Sequence, residues 1–494
     1  MSLPTAAGEV ESSRRVLWSQ FAVSIAAYIF VVFVLCPGTR FIGTPVQHDD
    51  FNNLAHTKFW WSAWRPVSYG LLSMLSQGGI SVYYAALHIL IFVYAFLSLC
   101  VLQRLLDVRN LPALVLLPVA TAMLAYEFTV EYSKYTGLIT NLLSGVFAVS
   151  AMILMVAGGG AASPNSTRSL SVTTIAMVWI FSALSFWSKE DFLPAVFLIA
   201  AYLTWRAHAD GSPESRSAIR RWLVMLAGLT VEVALLLAYN RHVHSPFTET
   251  TSGTYKPDFA PLSILKTGFT YIMTTPGSKI LFLLAASTLV WNSFASNRVR
   301  WDRVLAFLAI TAAMAFPYLC LPNHVFPYYG LNWTVWEAGG GLLALWKLWP
   351  GIRSKAAIAI LAALCLYVTQ PGRTILSAWY SEMATVNRNI LKSLVAHRSR
   401  LEPYPAIVVE GAPFHGPWFG NGGDFLKNRL QLDHVWLVHV PKDSPYWRTS
   451  WNLLGTDIAG DIKTVAEETE PVSPDMPVVK LSVDGTATVD YPRR

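Results

Sequence analysis

Long, nearly charge-free apolar runs recur along this chain, and they constrain its fold more than any other feature. A bilayer core about 30 Å thick is crossed by about 20 helical residues. Inside it every backbone N–H and C=O must be satisfied within the protein, which favours helices. Eleven runs approach that length: 16–36, 82–103, 112–128, 138–157, 173–187, 192–205, 222–240, 278–293, 303–321, 334–349 and 356–371. Only 14% of the residues are charged and 53% are hydrophobic, with a mean hydropathy of +0.41. Soluble domains carry about 25% charged residues. The expected fold is therefore an α-helical polytopic membrane protein with about 11 transmembrane helices. The first run is too long for a signal-peptide core and reads as a retained span.

Charge then orients the spans. With Arg14 and Arg15 placed in the cytoplasm, alternate loops carry Arg104 and Arg109, Arg168, Arg206 with Arg216, Arg220 and Arg221, then Arg298, Arg300 and Arg303, then Arg353 and Lys355. That is the positive-inside bias. The net charge of +7 belongs to these loops, and a nucleic-acid partner is not expected. The four cysteines, Cys36, Cys100, Cys320 and Cys365, lie in or beside apolar runs with no CxxC pair, so they read as buried thiols.

The opposite surface gathers Asp49 and Asp50, Glu131 and Lys134, Lys189, Glu190 and Asp191, His242 and His244, and His324, Tyr328 and Tyr329. Polar groups converging from several loops over a helical scaffold suggest a site at one membrane surface. Two stretches on that side, 54–76 and 258–275, interleave aromatic and aliphatic residues with polar ones, as helices lying in the interface do. From about residue 372 the composition turns polar. AIVVEGA and HVWLVHV read as strands, GDFLKNRLQL as a helix, and VVKLSVDGTATVDY as two strands around an Asp-Gly turn. The expected organisation is a transmembrane domain over 1–371 and a small extracytoplasmic α/β domain over 372–494.

Four patterns follow one another in the chain: HDDF after the first span, WRPVSYGLL, VEYSKYTGLITNLLSGVF, and LSFWSKEDF. Their order resembles the GT-C superfamily of multi-span glycosyltransferases, which use polyprenyl-phosphate sugars. The nearest branch holds the protein O-mannosyltransferases and their tetratricopeptide-bearing relatives. These show an acidic first outer loop, an Arg-Pro-Leu-(Ser/Thr) run, a Glu ahead of a span, and a Leu-Ser-Lys-Glu run. The likeness covers roughly residues 16–345. Where those relatives have an acid in the fourth span, this chain has Asn141.

The resemblance implies an inverting transfer of a sugar from a polyprenyl-phosphate donor to a hydroxyl acceptor. A carboxylate takes the acceptor proton, and cations meet the leaving phosphate. Asp50 or Asp49 is then the catalytic base. The two neighbours point to opposite sides of an extended segment, so one of them has another task. Arg65 and Lys189 are candidate phosphate ligands. Glu131, Lys134 and Glu190 are candidate substrate-binding or structural groups, and His324 and Tyr328 are candidates for the lipid-phosphate entrance. No cofactor is implied, although Asp49 and Asp50 could ligate Mg²⁺ or Mn²⁺ through oxygen.

The expected partners are the lipid-linked donor, a glycan or other hydroxyl acceptor, and the bilayer. The expected location is a bacterial inner membrane, with a cell-envelope glycan such as O-antigen as acceptor. Rival readings are a lipid-linked saccharide flippase, which asks for charges paired near the bilayer midplane, and a polysaccharide polymerase or ligase with a lipid pyrophosphate donor. The sugar itself is not written in the sequence.

Overall fold

The computed structural model describes residues 6–36, 65–77, 80–108, 111–133, 138–158, 170–209, 213–242, 257–274, 276–296, 301–323, 325, 327–348, 352–401, 403–404, 406–412, 434–439, 475, 477–482 and 484–492. Among these residues helices dominate. They are α1 (Ala6–Phe30, closed by a π-turn at Val31–Leu35), α2 (Pro66–Gln77), α3 (Ile80–Leu105), α4 (Ala113–Leu124), α5 (Glu127–Tyr132), α6 (Ile139–Gly158) and α7 (Val172–Ser188). After a 3₁₀ turn at Glu190–Phe192 come α8 (Leu193–Ala209), α9 (Pro213–His242), α10 (Pro261–Thr274), α11 (Pro276–Ser296) and α12 (Trp301–Leu319). A second 3₁₀ turn, Pro327–Gly330, leads into α13 (Leu331–Leu348) and α14 (Ile352–Ala396).

Ten of the eleven apolar runs each fall closely on one helix, while 112–128 breaks after Leu124 and ends inside α5. By length and composition, six stretches can cross a membrane: Val16–Leu35, Val82–Leu105, Ile139–Gly158, Glu190–Ala209, Arg216–His242 and Lys355–Ala378. The other apolar runs form helices that fall short of one criterion or the other. Helix α6 is apolar on all sides, and 78% of its span is buried, against 22% in α9. It is therefore the centre of the bundle, packed on α7 and α3. Leu223, Val224, Val231, Leu235 and Leu237 of α9 are exposed, which suits contact with lipid.

The glycines of α13 permit a close helix crossing. A Cβ at Gly341 would lie 3.0 Å from the Leu281 carbonyl oxygen and 3.1 Å from its carbon, so the backbones of α11 and α13 approach closely there. Replacing Gly341 with valine should cost about 1–3 kcal/mol by overpacking. The readout is the thermal unfolding midpoint in detergent. An unchanged midpoint would mean that these helices sit further apart.

Two polar clusters occupy opposite ends of this scaffold. At one end the C-termini of α3 and α13 meet the start of α12, where Arg303 and Lys347 reach Asp107 at 3.1 and 3.3 Å. Nearby, Asp302 accepts from Tyr202 at 3.2 Å and lies 3.6 Å from Arg206. The C-terminus of α12 and the N-terminus of α13 carry the other cluster to the far end, and that cluster is the candidate site.

Helix α14 runs unbroken across the 371/372 boundary to Ala396. Pro371 lies inside it and cannot donate a helix bond. Two residues on, Arg373 braces this part of the helix: one guanidinium nitrogen donates to the Leu366 carbonyl at 2.9 Å, and another to the Ala125 carbonyl at 2.7 Å, tying α14 to the end of α4.

Beyond α14, β1 (Ala406–Ala412), β2 (His434–His439), β3 (Val478–Leu481) and β4 (Ala487–Asp490) form one sheet in the order β2-β1-β3-β4. β1 runs parallel to both neighbours, and β3 and β4 are antiparallel. The strands thus fall on the two short β-like runs and on the alternating C-terminal run, while GDFLKNRLQL lies outside the described residues. The Asp-Gly turn is held by Asp484, whose carboxylate accepts from the Thr486 amide at 3.0 Å and its hydroxyl at 2.7 Å. A hydrogen bond from the Ser482 hydroxyl, followed by those from Thr486, pulls its pKa down to about 2. Gly485 takes φ +82°, a region open to glycine. The Asn389 amide donates to the Asp484 carbonyl at 2.8 Å and docks this hairpin on α14.

Candidate functional site

The site forms where α7 stops. Its last carbonyls have no partners within the helix, as at any helix C-terminus. Hydroxyls from two other elements supply them. Ser68 of α2 donates to the Ser188 carbonyl at 2.7 Å, and Ser144 of α6 donates to the Lys189 carbonyl at 2.6 Å. Lys189 is extended, at φ −168° and ψ 141°, so the chain leaves the helix there and turns at Glu190–Phe192.

This break splays three consecutive charges. Lys189 and Asp191 turn inward and pair at 2.9 Å, each side chain only 7% exposed. Glu190 turns the other way and meets Arg65 at 3.1 Å. Lys189 and Glu190 thus find separate partners instead of each other.

The inward pair is closely hydrogen-bonded. The Lys189 ammonium donates to Asn141 Oδ1 at 3.0 Å and to the Tyr318 hydroxyl at 3.2 Å. With Asp191, these acceptors occupy its three protons. The Tyr318 hydroxyl donates to Asp191 and accepts from the Asn332 amide at 3.1 Å. Tyr94 fixes that end of α13 by donating to the Asn332 carbonyl at 2.6 Å. The ammonium also lies 4.6 Å from the Tyr329 ring centre, and Tyr318 and Tyr329 stack at 4.3 Å. Burial holds the Lys189 ammonium below the usual lysine range; Arg65 adds to that, and Asp191 opposes it.

A second buried ion pair lies deeper in the bundle. Lys279 of α11 reaches Glu337 of α13 at 2.5 Å, and Ser278 donates to the same carboxylate at 3.0 Å. Glu337 is five residues past Asn332, about 8 Å along the helix axis. Trp333 bridges the two pairs, 5.6 Å from the Lys279 ammonium and 5.7 Å from the Tyr318 ring.

Of the residues singled out in the sequence, Arg65, Lys189 and Glu190 come together here. Tyr328 borders the cluster through its edge contact with Tyr329, at 4.6 Å. Glu131 lies on α5, and its side chain is outside the described residues. Asp49, Asp50, Lys134 and His324 also lie outside them. Among the described residues, no group of three His, Cys, Asp or Glu side chains could hold a metal ion.

Four members of the cluster were not picked out as site residues: Asp191, Asn141, Tyr318 and Asn332. Asp191 did carry a signal. In an extended Lys-Glu-Asp run the first and third side chains share a face. Tyr318 carried none, because a tyrosine ending an apolar run reads equally as an interfacial anchor.

No protein-family model matches the chain, and no curated protein matches it. Among solved structures it is similar to the oligosaccharyltransferase of Archaeoglobus fulgidus. The complex with zinc and sulfate aligns at a TM-score of 0.46 and 12% identity, over 86% of this chain and 62% of that one. A form tethered by a disulfide bond to an acceptor peptide with an NVT sequon aligns at a TM-score of 0.49 and 12% identity, over 86% and 64%. The chain thus spans less than two thirds of the length of either structure's chain.

Proposed function

We propose that this protein is a multi-pass membrane glycosyltransferase that moves a sugar from a polyprenyl-phosphate donor to a hydroxyl acceptor at the outer face of its membrane. The observation that carries this reading is the meeting of three sequence patterns that share no local reason to meet. WRPVSYGLL supplies Arg65 and Ser68, the fourth-span pattern supplies Asn141 and Ser144, and LSFWSKEDF supplies Ser188, Lys189, Glu190 and Asp191. Patterns that were only ordered along the chain thus form one hydrogen-bonded unit. The fourth, HDDF, is assigned by the resemblance alone.

In this mechanism Asp50 or Asp49 accepts the proton of the acceptor hydroxyl as its oxygen attacks the anomeric carbon. The bond to the lipid phosphate breaks in the same displacement, which inverts the configuration. Arg65 is the candidate for meeting the departing phosphate, because the resemblance places a cation there and a guanidinium's planar fork of N–H donors matches phosphate oxygens; Glu190 pairs with it at 3.1 Å. Lys189 is fully engaged with Asp191, Asn141 and Tyr318, so its contribution is a fixed positive charge and a rigid wall. The acceptor class we favour is a cell-envelope glycan made at a bacterial inner membrane.

The test uses purified protein in nanodiscs with labelled polyprenyl-phosphate hexoses and lipid-linked glycan acceptors. Transfer of label to the acceptor with inverted configuration is expected. The buried Lys279–Glu337 pair is the kind of feature a transporter would use. Donor movement across a proteoliposome membrane with no chemical conversion would replace the transferase reading with that one.

A further inference from the structure

A cavity of about 610 Å³ lies against α10, outside the cluster just described, lined by Asp258, Ser263, Lys266, Thr267, Thr270 and Asn323 among others. Its size is that of a small-molecule pocket. It adjoins the candidate site: the Asp258 amide donates to the Cys320 carbonyl at 2.7 Å, two residues past Tyr318. Tyr271 of α10 is buried edge-on against Trp333 at 5.1 Å.

Helix α10 has two unlike faces. Leu262, Leu265, Phe269, Ile272 and Met273 recur at helical spacing and are all exposed. Ser263, Lys266, Thr267 and Thr270 form the polar stripe that faces the cavity. An exposed apolar stripe opposite a polar one suits a helix lying in the membrane interface. The cavity then opens at the depth where the polar part of a membrane-bound substrate sits.

The lining chemistry narrows the ligand. Among the described lining residues, Lys266 and Asp258 are the charged pair and oppose each other, so that lining carries no excess charge of either sign. Thr267 and Thr270 donate to the carbonyls of Ser263 and Lys266 at 2.9 and 3.2 Å, which leaves their oxygens available as acceptors. Among the described residues, the Lys266 ammonium has no ion-pair partner, and it supplies donors. Donors and acceptors in near balance on a described lining of no net charge suit a neutral ligand rich in hydroxyls.

We propose that this cavity is a saccharide-binding subsite, formed by the polar face of α10 and the segment after α12, that takes one or a few neutral sugar units. Its chemistry is read from its lining; its role as the seat of a transferred or accepting sugar rests on the transferase reading.

The test is binding of methyl hexopyranosides to the full chain in nanodiscs, followed by saturation-transfer NMR. Saturable binding is expected. Thr270→Val with Lys266→Gln should weaken it at least tenfold, while Leu265→Ala on the opposite face should leave it unchanged. A thermal melt establishes that the variants are folded. No binding by any hexoside, or binding indifferent to the two cavity changes, overturns the subsite. So does preferential binding of inorganic phosphate through Lys266, which would make the cavity an anion site. The assay needs no turnover, so the two readings fail separately. Sugar binding without transfer keeps the subsite and removes the transferase; transfer without this binding does the reverse. Should both hold, a rise in KM for the acceptor alone or the donor alone in the Thr270→Val variant identifies whose sugar occupies the cavity.

Discussion

Replacing Lys189 with methionine should destabilise the protein by about 3–5 kcal/mol, the usual cost of leaving one member of a buried ion pair without its partner. The reason is specific to this position. Asp191 sits 2.9 Å from the ammonium, and both side chains are 7% exposed. Water cannot replace the lost charge, and the donors that remain close to the carboxylate, the Tyr318 hydroxyl and the Asn141 amide at 3.4 Å, are neutral. Methionine preserves the length of the side chain, so lost packing contributes little. Changing Asp191 to asparagine in the same chain should recover at least half of the loss, because no lone buried charge then remains. A double-mutant cycle on thermal unfolding in detergent reads the coupling directly. If Lys189→Met unfolds within about 1 kcal/mol of the parent protein, the pair is not the closed anchor described here.

Asparagine at both Asp49 and Asp50 should lower sugar transfer by about 10²–10⁴-fold, the range that a positioned general base contributes. Asparagine matches aspartate in shape and keeps hydrogen-bonding capacity, but it cannot take a proton. Each single variant separates the two tasks. The base, with Asp50 the first choice, should show most of the loss in kcat. The neighbour, on the other side of the backbone, should show a smaller loss or a change in KM. Near-normal rates in both singles and the double, in protein with an unaltered melt, would remove the base assignment. Restoration of a lost activity by added Mg²⁺ or Mn²⁺ after chelation would instead assign the pair to a metal.

These two experiments address different parts of the site, and they were not equally legible. Asp49 and Asp50 stand out in the sequence because carboxylates between apolar and aromatic runs are unusual, but their position lies outside the described residues. Lys189, Glu190 and Arg65 also stood out, by residue type and by pattern. Their partners did not. A run of three charges is compatible with mutual pairing, helix capping or solvation. Only the break at Lys189, held open by Ser68 and Ser144, decides that the first and third turn inward and the second outward. The Lys279–Glu337 pair was missed for a related reason. Lys279 opens one apolar run and Glu337 lies early in another, and nothing local joins them.

The sequence by itself determined the helical, apolar class of the molecule, where its apolar runs form helices and the strands of its C-terminal sheet, but not the continuation of α14 past Pro371 to Ala396. Apolar length and side-chain alternation are local properties, written within 20 residues or fewer. The tertiary structure decided which polar groups are partners. Arg65 and Glu190 are 125 residues apart, and Tyr318 and Asp191 are 127 apart. Those contacts exist because α2, α6, α7, α12 and α13 bring their ends to one place. Buried charges must find partners there, since neither lipid nor protein interior solvates them. Which partners they find depends on how whole helices pack, and no local pattern encodes that.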